Sequence, residues 1–555
     1  MRPNHSRLAR SRISPMRNDT TPVFSKSAVA APSPLAAESG ARVLEEGGNA
    51  IEAMIAMAAT IAVVFPHMNA MGGDGFWLIR EPDESVTGID ACGPAGAEAT
   101  RAFYRDAGHE AIPARGPHAA LTVAGAVGGW ARATEAAQAG GGRLPLPVLL
   151  EDAIRHAREG YPVADSEQRY WDREADGATL AALRAVPGFD AAFTLAGEPP
   201  RAGAFRRTLK LGDTLGHLAD AGLSDFYRGD VGREIAADLD RAGAPVTRAD
   251  LESYQARTVQ PLSLRLGDAT LWNFPPPTQG LASLMILGMF EHLGVTRADN
   301  LDHHHGLIEA VKRAFAIRDR VVTDPAHLDA DLDALLAPDA IAREAAAIDM
   351  ARAAPFPLAA DHGDTIWMGA IDAQGRAVSY IQSIYWDYGS GLVLPATGVL
   401  WQNRGMSFSL DPAARNPLQP GRKPFHTLNP ALAVFKDGRV MSYGCMGGDG
   451  QPQTQAQIFT RYRFGMDPAS AVDAPRWLLG RTWGQNSTTL KLESRFDPDI
   501  VKGLAGRGQA VEEIGEAYAD LLGHAGMLVR HPGDGHIAAT HDPRAGGAAR
   551  GMGGS

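Results

Sequence analysis

At Thr365 the pattern of this 555-residue chain changes, and that change limits the folds open to it. From about Ala28 to Ala360 the sequence reads as Ala-rich amphipathic helices broken by Gly and Pro, among them 146–160, 214–229 and 303–320. From Thr365 onward, short apolar runs alternate with turns, the pattern of a sheet. Between the two regimes lies an Ala/Asp/Pro-rich stretch at 323–363. Its end at 356–363 predicts an exposed connector that can be cut without losing the fold.

The segment after the connector reads as a hairpin. Thr365–Asp372 and Arg376–Ile384 are two strands joined by Ala373-Gln374-Gly375. A three-residue loop ending in Gly suits a hairpin because Gly takes the left-handed conformation without strain. If Asp372 faces Arg376, then Ile371 faces Ala377, Gly369 faces Ser379 and Thr365 faces Ser383. Directly opposed residues point to the same side of a sheet, so a second hydroxyl is expected beside Thr365. A second hairpin, Ala431–Phe435 and Val440–Tyr443 around Lys436-Asp437-Gly438, runs into Gly444-Cys445-Met446-Gly447-Gly448-Asp449-Gly450. A helix is expected to open near Gln453. Adjacent glycines between a strand and a helix expose backbone N–H groups in one direction, as an oxyanion site requires.

The remaining composition excludes several classes. A net charge of −11, spread along the chain, leaves no basic footprint for nucleic acid or an anionic membrane. The longest apolar segment, Ile51–Phe65, is shorter than a membrane span and carries Glu52; it reads as a buried helix capped by Asn49. Residues 1–24, with Arg2, Arg7, Arg10, Arg12 and Arg17, read as a disordered leader without a signal-peptide core, which makes the cytoplasm the expected compartment. The tail from about Arg544 reads as flexible. Cys92 and Cys445 cannot build a disulfide framework. In His303-His304-His305 only His305 could share a helix face with Glu309, and no third ligand follows, so no metal is expected. Neither a G-x-S-x-G elbow nor a G-x-x-x-x-G-K-[ST] loop is present.

Taken in order, Glu46-Gly47-Gly48-Asn49-Ala50, Pro66-His67-Met68-Asn69, Gly72-Gly73-Asp74-Gly75-Phe76, Phe226-Tyr227-Arg228-Gly229, the Thr365 block, Gly389-Ser390-Gly391, Asn429-Pro430 and Gly447-Gly448 resemble the γ-glutamyltranspeptidase family over about residues 25–540. The resemblance implies an α/β fold, the four-layer α/β/β/α sandwich of N-terminal-nucleophile hydrolases. It implies self-cleavage between Asp364 and Thr365 into a large subunit, 25–364, and a small subunit, 365–555, intertwined in one domain. By position Thr365 matches the nucleophile, Ser383 the assisting hydroxyl and Gly447-Gly448 the oxyanion hole, with no cofactor. The expected partners are a small-molecule amide and the two subunits of one precursor, and a homo-oligomer of heterodimers is compatible with the same reading.

The departures from the family pattern bear on substrate. The family's carboxylate-binding Arg position reads Asp90. The positions that grip the α-ammonium read Tyr385, Arg404 and Ser407, and the Ser-Ser pair aligns with His426-Thr427. A cation among lost ammonium ligands repels a γ-glutamyl group. A small acid is expected instead, its carboxylate on Arg404 beside Tyr385, His426 and Thr427; a structural ion pair of Arg404 with Asp387 is the alternative. The segments from Asp364 to Gly391 and from Lys423 to Leu432 resemble the branch of the family that contains oxamate amidohydrolase. A glutathione hydrolase or γ-glutamyltransferase and a glutaryl, cephalosporin-type acylase stand as the other readings.

Overall fold

Hydrogen-bonded strands run from one face of the protein to the other along a single antiparallel path. The computed structural model describes residues 21–175, 177–356, 364–480 and 488–554. The path begins Arg257–Val259, Val86–Ala91, Asp74–Arg80, Ala377–Tyr385, Asp364–Ile371, Val23–Ala31. It continues Ile537–His541, Ala525–Arg530, Val440–Cys445, Ala431–Phe435, Ala269–Asn273, Leu262–Arg265. The strand Val23–Ala31 belongs to both halves: Val23 and Phe24 pair with Ala538 and Ile537, whereas Ala28–Ala30 pair with Ile371–Gly369. There the path turns over, and its two halves face one another. Ser442 Oγ of the second half donates to the Val378 carbonyl of the first at 2.9 Å.

Side chains alternate accordingly along Asp364–Ile371. Ile366, Met368 and Ala370 join the core beneath the helices Pro34–Glu45 and Ala50–Val64, whereas Trp367 and Ile371 join the core between the two sheets. A third core packs the helices Gly280–Glu291, Leu301–Val321 and Gly450–Arg463 against the second sheet. Helices, sheet, sheet, helices: the four layers match the expected sandwich. Helix Ala50–Val64 is buried on every side with Asn49 as its N-cap, as expected, and Glu52 completes a capping box.

One expectation needs an addition and two need correction. The large part is largely helical, as expected, but it also supplies sheet strands, Asp74–Arg80, Val86–Ala91 and Ala269–Asn273. Asp74–Arg80 is buried on both faces and so shows no alternation to read. The leader ends earlier than residue 24, since Val23 and Phe24 are already strand; residues 1–20 lie outside the described residues, as does the connector from 357 to 363. The tail is not flexible. Arg544 is buried against Glu493 at 2.7 Å, and Ala548–Gly554 forms a strand along Phe24–Ala31. Its glycines make this pairing close: a methyl group at Gly551 would overlap the Ser27 carbonyl.

Trp367 sets the spacing between the sheets. Its indole Nε1 donates to Ser379 Oγ at 2.9 Å, and its ring lies over Gly444 and Gly526 of the opposite sheet, where any Cβ would overlap it. Gly444→Ala is therefore expected to overpack this layer and destabilise the protein by about 1–3 kcal/mol. A fall in the urea midpoint measures it; an unchanged midpoint would mean that the indole does not set the separation.

Candidate active site

The predicted hairpin register holds from Ala377 opposite Ile371 to Gln382 opposite Ile366, with Gly375 in the left-handed conformation at φ 84°. Beyond Gln382 it shifts by one residue, so Tyr385 pairs with Asp364. The direct opposition expected for Thr365 and Ser383 thus falls within a bulge, where an extra residue bends the strand. Tyr385 carries the strain at φ 82°, a region costly for an aromatic residue, and its N–H donates to Ser383 Oγ at 2.8 Å. Both hydroxyls are buried, with Thr365 at 0% and Ser383 at 2% exposure. Two residues from Trp367 along the strand, Thr365 points into the same inter-sheet space.

Across that space lies the glycine turn. Gly447 and Gly448 adopt φ of 119° and 53°, and neither N–H donates to a backbone carbonyl among the described residues. Two amides with no carbonyl partner among the described residues, on a fixed turn, are suited to hold a developing oxyanion. Helix Gly450–Arg463 follows, opening slightly earlier than its sequence suggests. In its first turn Gln451 donates Nε2 to Thr365 Oγ1 at 3.3 Å, while its Oε1 accepts the Asn429 N–H at 3.1 Å. A buried network anchors the turn from behind. Gln279 donates to the carbonyls of Gly448 at 2.9 Å and Thr427 at 2.7 Å, and Arg318 donates to Gln279 at 2.7 Å and Asp449 at 2.8 Å. Gln451, Gln279 and Arg318 escaped the sequence reading. Only their neighbours, the Gly-rich turn and Thr427, signalled them.

The predicted pocket residues do come together. The Arg404 guanidinium lies 3.7 Å over the centre of the Tyr385 ring, donates to the Phe425 carbonyl at 3.2 Å and reaches Thr427 Oγ1 at 3.4 Å. All of Arg404, Tyr385, His426 and Thr427 are buried. His426 Nε2 lies 3.5 Å from Asp74 Oδ2. Asp387 faces Arg173 at 4.0 Å, and Asp90 is held by Lys423 at 2.5 Å. In the histidine tract, His303 meets Thr460 at 2.8 Å and His305 meets the Asp349 carbonyl at 3.0 Å. Ligand atoms of Asp299, His303 and His304 come within 4.8 Å, but Arg461 already holds Asp299 at 2.8 Å, a cation opposed to any metal there. Gln509 and Lys312 occupy Glu309. Among the described residues no helix is long and apolar enough to cross a membrane.

Two facing sheets flanked by helical layers, with Thr365 near the start of a strand between them and the Gly447-Gly448 turn close by, fit an α/β/β/α sandwich of the N-terminal-nucleophile class. The chain matches the gamma-glutamyltranspeptidase family over residues 36–552 and belongs to that family. It is 50% identical over 523 residues to the oxamate amidohydrolase proenzyme of Klebsiella pneumoniae, covering 94% of this chain and 97% of that one. It is 37% identical to the glutathione hydrolase-like YwrD proenzyme of Bacillus subtilis, covering 96% and 99%. The crystal structure of cephalosporin acylase from Bacillus halodurans superposes with a TM-score of 0.89 at 32% identity, over 98% of this chain and 99% of that one.

Proposed function

We propose that this protein is a self-processing threonine amidohydrolase that cleaves the amide of a small carboxylate-bearing substrate, oxamate being the first choice. The observation that carries the reading is the buried Arg404 guanidinium held between Tyr385 and Thr427, where an ammonium-binding site would need acceptors. The similarity to an oxamate amidohydrolase supports it. Self-cleavage between Asp364 and Thr365 frees an α-amine with an ordinary pKa of about 7.7–8.0, so a useful fraction is neutral near pH 7. That amine takes the proton of the Thr365 hydroxyl, and Oγ1 attacks the substrate carbonyl. The Gly447 and Gly448 amides hold the resulting oxyanion, and Ser383 assists the nucleophile. The acyl-enzyme is released by water, oxamate giving oxalate and ammonia. Compartment and quaternary association do not enter this chemistry.

A second reading, a glutaryl-type acylase, draws on the close superposition with a cephalosporin acylase. Measuring kcat/KM for oxamate, a γ-glutamyl anilide and a glutaryl amide on the processed enzyme separates them. Oxamate is expected to be preferred; a clear preference for the γ-glutamyl compound would overturn the pocket argument, and preference for the glutaryl amide would establish the second reading.

A further inference from the structure

Asp74, Ser383 and Thr365 occupy neighbouring strands and face the same inter-sheet space. Asp74 pairs directly with Ser383, and Phe76 and Leu78, two and four residues further on, lie in the inter-sheet core. From the opposite sheet the segment carrying His426 comes down on this row. His426 stands edge-on to Phe76, with ring centroids 4.9 Å apart and Nε2 3.5 Å from Asp74 Oδ2. The Gly93 and Gly125 N–H groups donate to Asp74 Oδ1 at 3.1 and 3.0 Å, which fixes the carboxyl. Asp74 Oδ2 and both ring nitrogens of His426 have no hydrogen-bond partner among the described residues. Three unmet polar atoms in a sealed interior cost stability, which a pair of purely structural residues would not need to incur.

Burial pushes the Asp74 carboxyl up to about 7, against the Gly93 amide, Gln402, Arg404 and the Gly125 amide. Burial first, then Arg404 and Lys423, holds His426 well below the ordinary histidine range. Near neutral pH the pair therefore has one titrating proton, and Arg404 lies close enough to influence both members. We propose that the Asp74–His426 pair takes up one proton from solvent when a carboxylate substrate binds Arg404, so that anion recognition here is proton-coupled. The inference rests on the reading of Arg404 given above. A second anion beside Asp74 raises its affinity for a proton, as when two carboxylates share one site. The proton bonds to Asp74 Oδ2, which then donates to His426 Nε2; no other bond breaks.

The surrounding groups leave this proton to Asp74. Lys423 is engaged with Asp90 at 2.5 Å. Burial raises Cys92, Tyr227, Tyr254 and Tyr380, so none of them changes state near neutrality. The α-amine of Thr365, once released, is the other group titrating in the same range. The sign follows. Below about pH 7 the carboxyl already carries its proton and affinity is flat. Above it every bound anion must take up a proton, and affinity falls by about tenfold per pH unit.

Calorimetric titration of the processed enzyme with oxalate, in buffers of different ionisation enthalpy at pH 8, counts the protons. The expected result is that wild type takes up close to one proton more than Asp74→Asn, and that its Kd rises more steeply with pH. If Asp74→Asn does not self-process, the pH dependence of wild-type uptake serves instead: close to zero protons are expected at pH 5.5 and close to one at pH 8, and uptake that does not change with pH would overturn the inference. Equal uptake in wild type and variant, or oxalate binding by wild type without uptake, would overturn the inference. Failure of wild type to bind oxalate at any pH would overturn the Arg404 reading itself, and the inference with it.

Discussion

Thr365→Ala is expected to run as one uncut chain on a denaturing gel and to lose turnover by at least about 10⁴-fold. Both losses share one cause. In the proposed mechanism the Thr365 hydroxyl is the attacking atom both in processing, where it meets the Asp364 carbonyl, and in catalysis, where it meets the substrate. Alanine keeps the strand and removes that oxygen together with the γ-methyl group; the oxygen's partner in the structure is Gln451 at 3.3 Å. Urea unfolding separates chemistry from folding: the midpoint should stay close to wild type while both activities vanish. Normal cleavage of the variant would place the nucleophile elsewhere.

Arg404→Ala is expected to divide the two activities. Self-cleavage should proceed, because the guanidinium touches Tyr385, the Phe425 carbonyl and Thr427 rather than Thr365. Turnover of a carboxylate amide should fall by about 30- to 1,000-fold in kcat/KM, the equivalent of about 2–4 kcal/mol for losing a charge-assisted contact to a desolvated anion. Arg404→Lys should recover little, since an ammonium can neither form a planar fork on a carboxylate nor stack in the same way on Tyr385. Equal loss of cleavage and turnover would mean that Arg404 serves the fold.

Local chemistry was readable from the sequence, and long-range partnership was not. Gly375 and Asn49 announce themselves because a hairpin loop and a helix cap depend on a few adjacent residues. The hairpin register was legible as far as Gln382 for the same reason. The bulge beyond it was not, because Tyr385 is driven to positive φ by packing that includes Arg404, far along the chain. The strand Asp74–Arg80 was obscured by burial on both faces, which removes the period-2 signal. The network of Gln279, Arg318 and Asp449 behind the glycine turn joins residues 39 and 131 positions apart, so composition gives no hint of it. The tail misled because a Gly-rich segment reads as flexible, whereas here small residues allow a close strand pairing along Phe24–Ala31.

The reading of Thr365 has gained a setting. Its hydroxyl lies in a row with Ser383 and Asp74, and Gln451, just beyond the Gly447-Gly448 turn, approaches it at 3.3 Å. The most direct test of the nucleophile remains simple. Purified protein is resolved on a denaturing gel and the smaller band is sequenced from its N-terminus. The account predicts Thr-Ile-Trp-Met, the residues from Thr365 to Met368. A single intact band from active enzyme, or a small subunit beginning at any other residue, would contradict it.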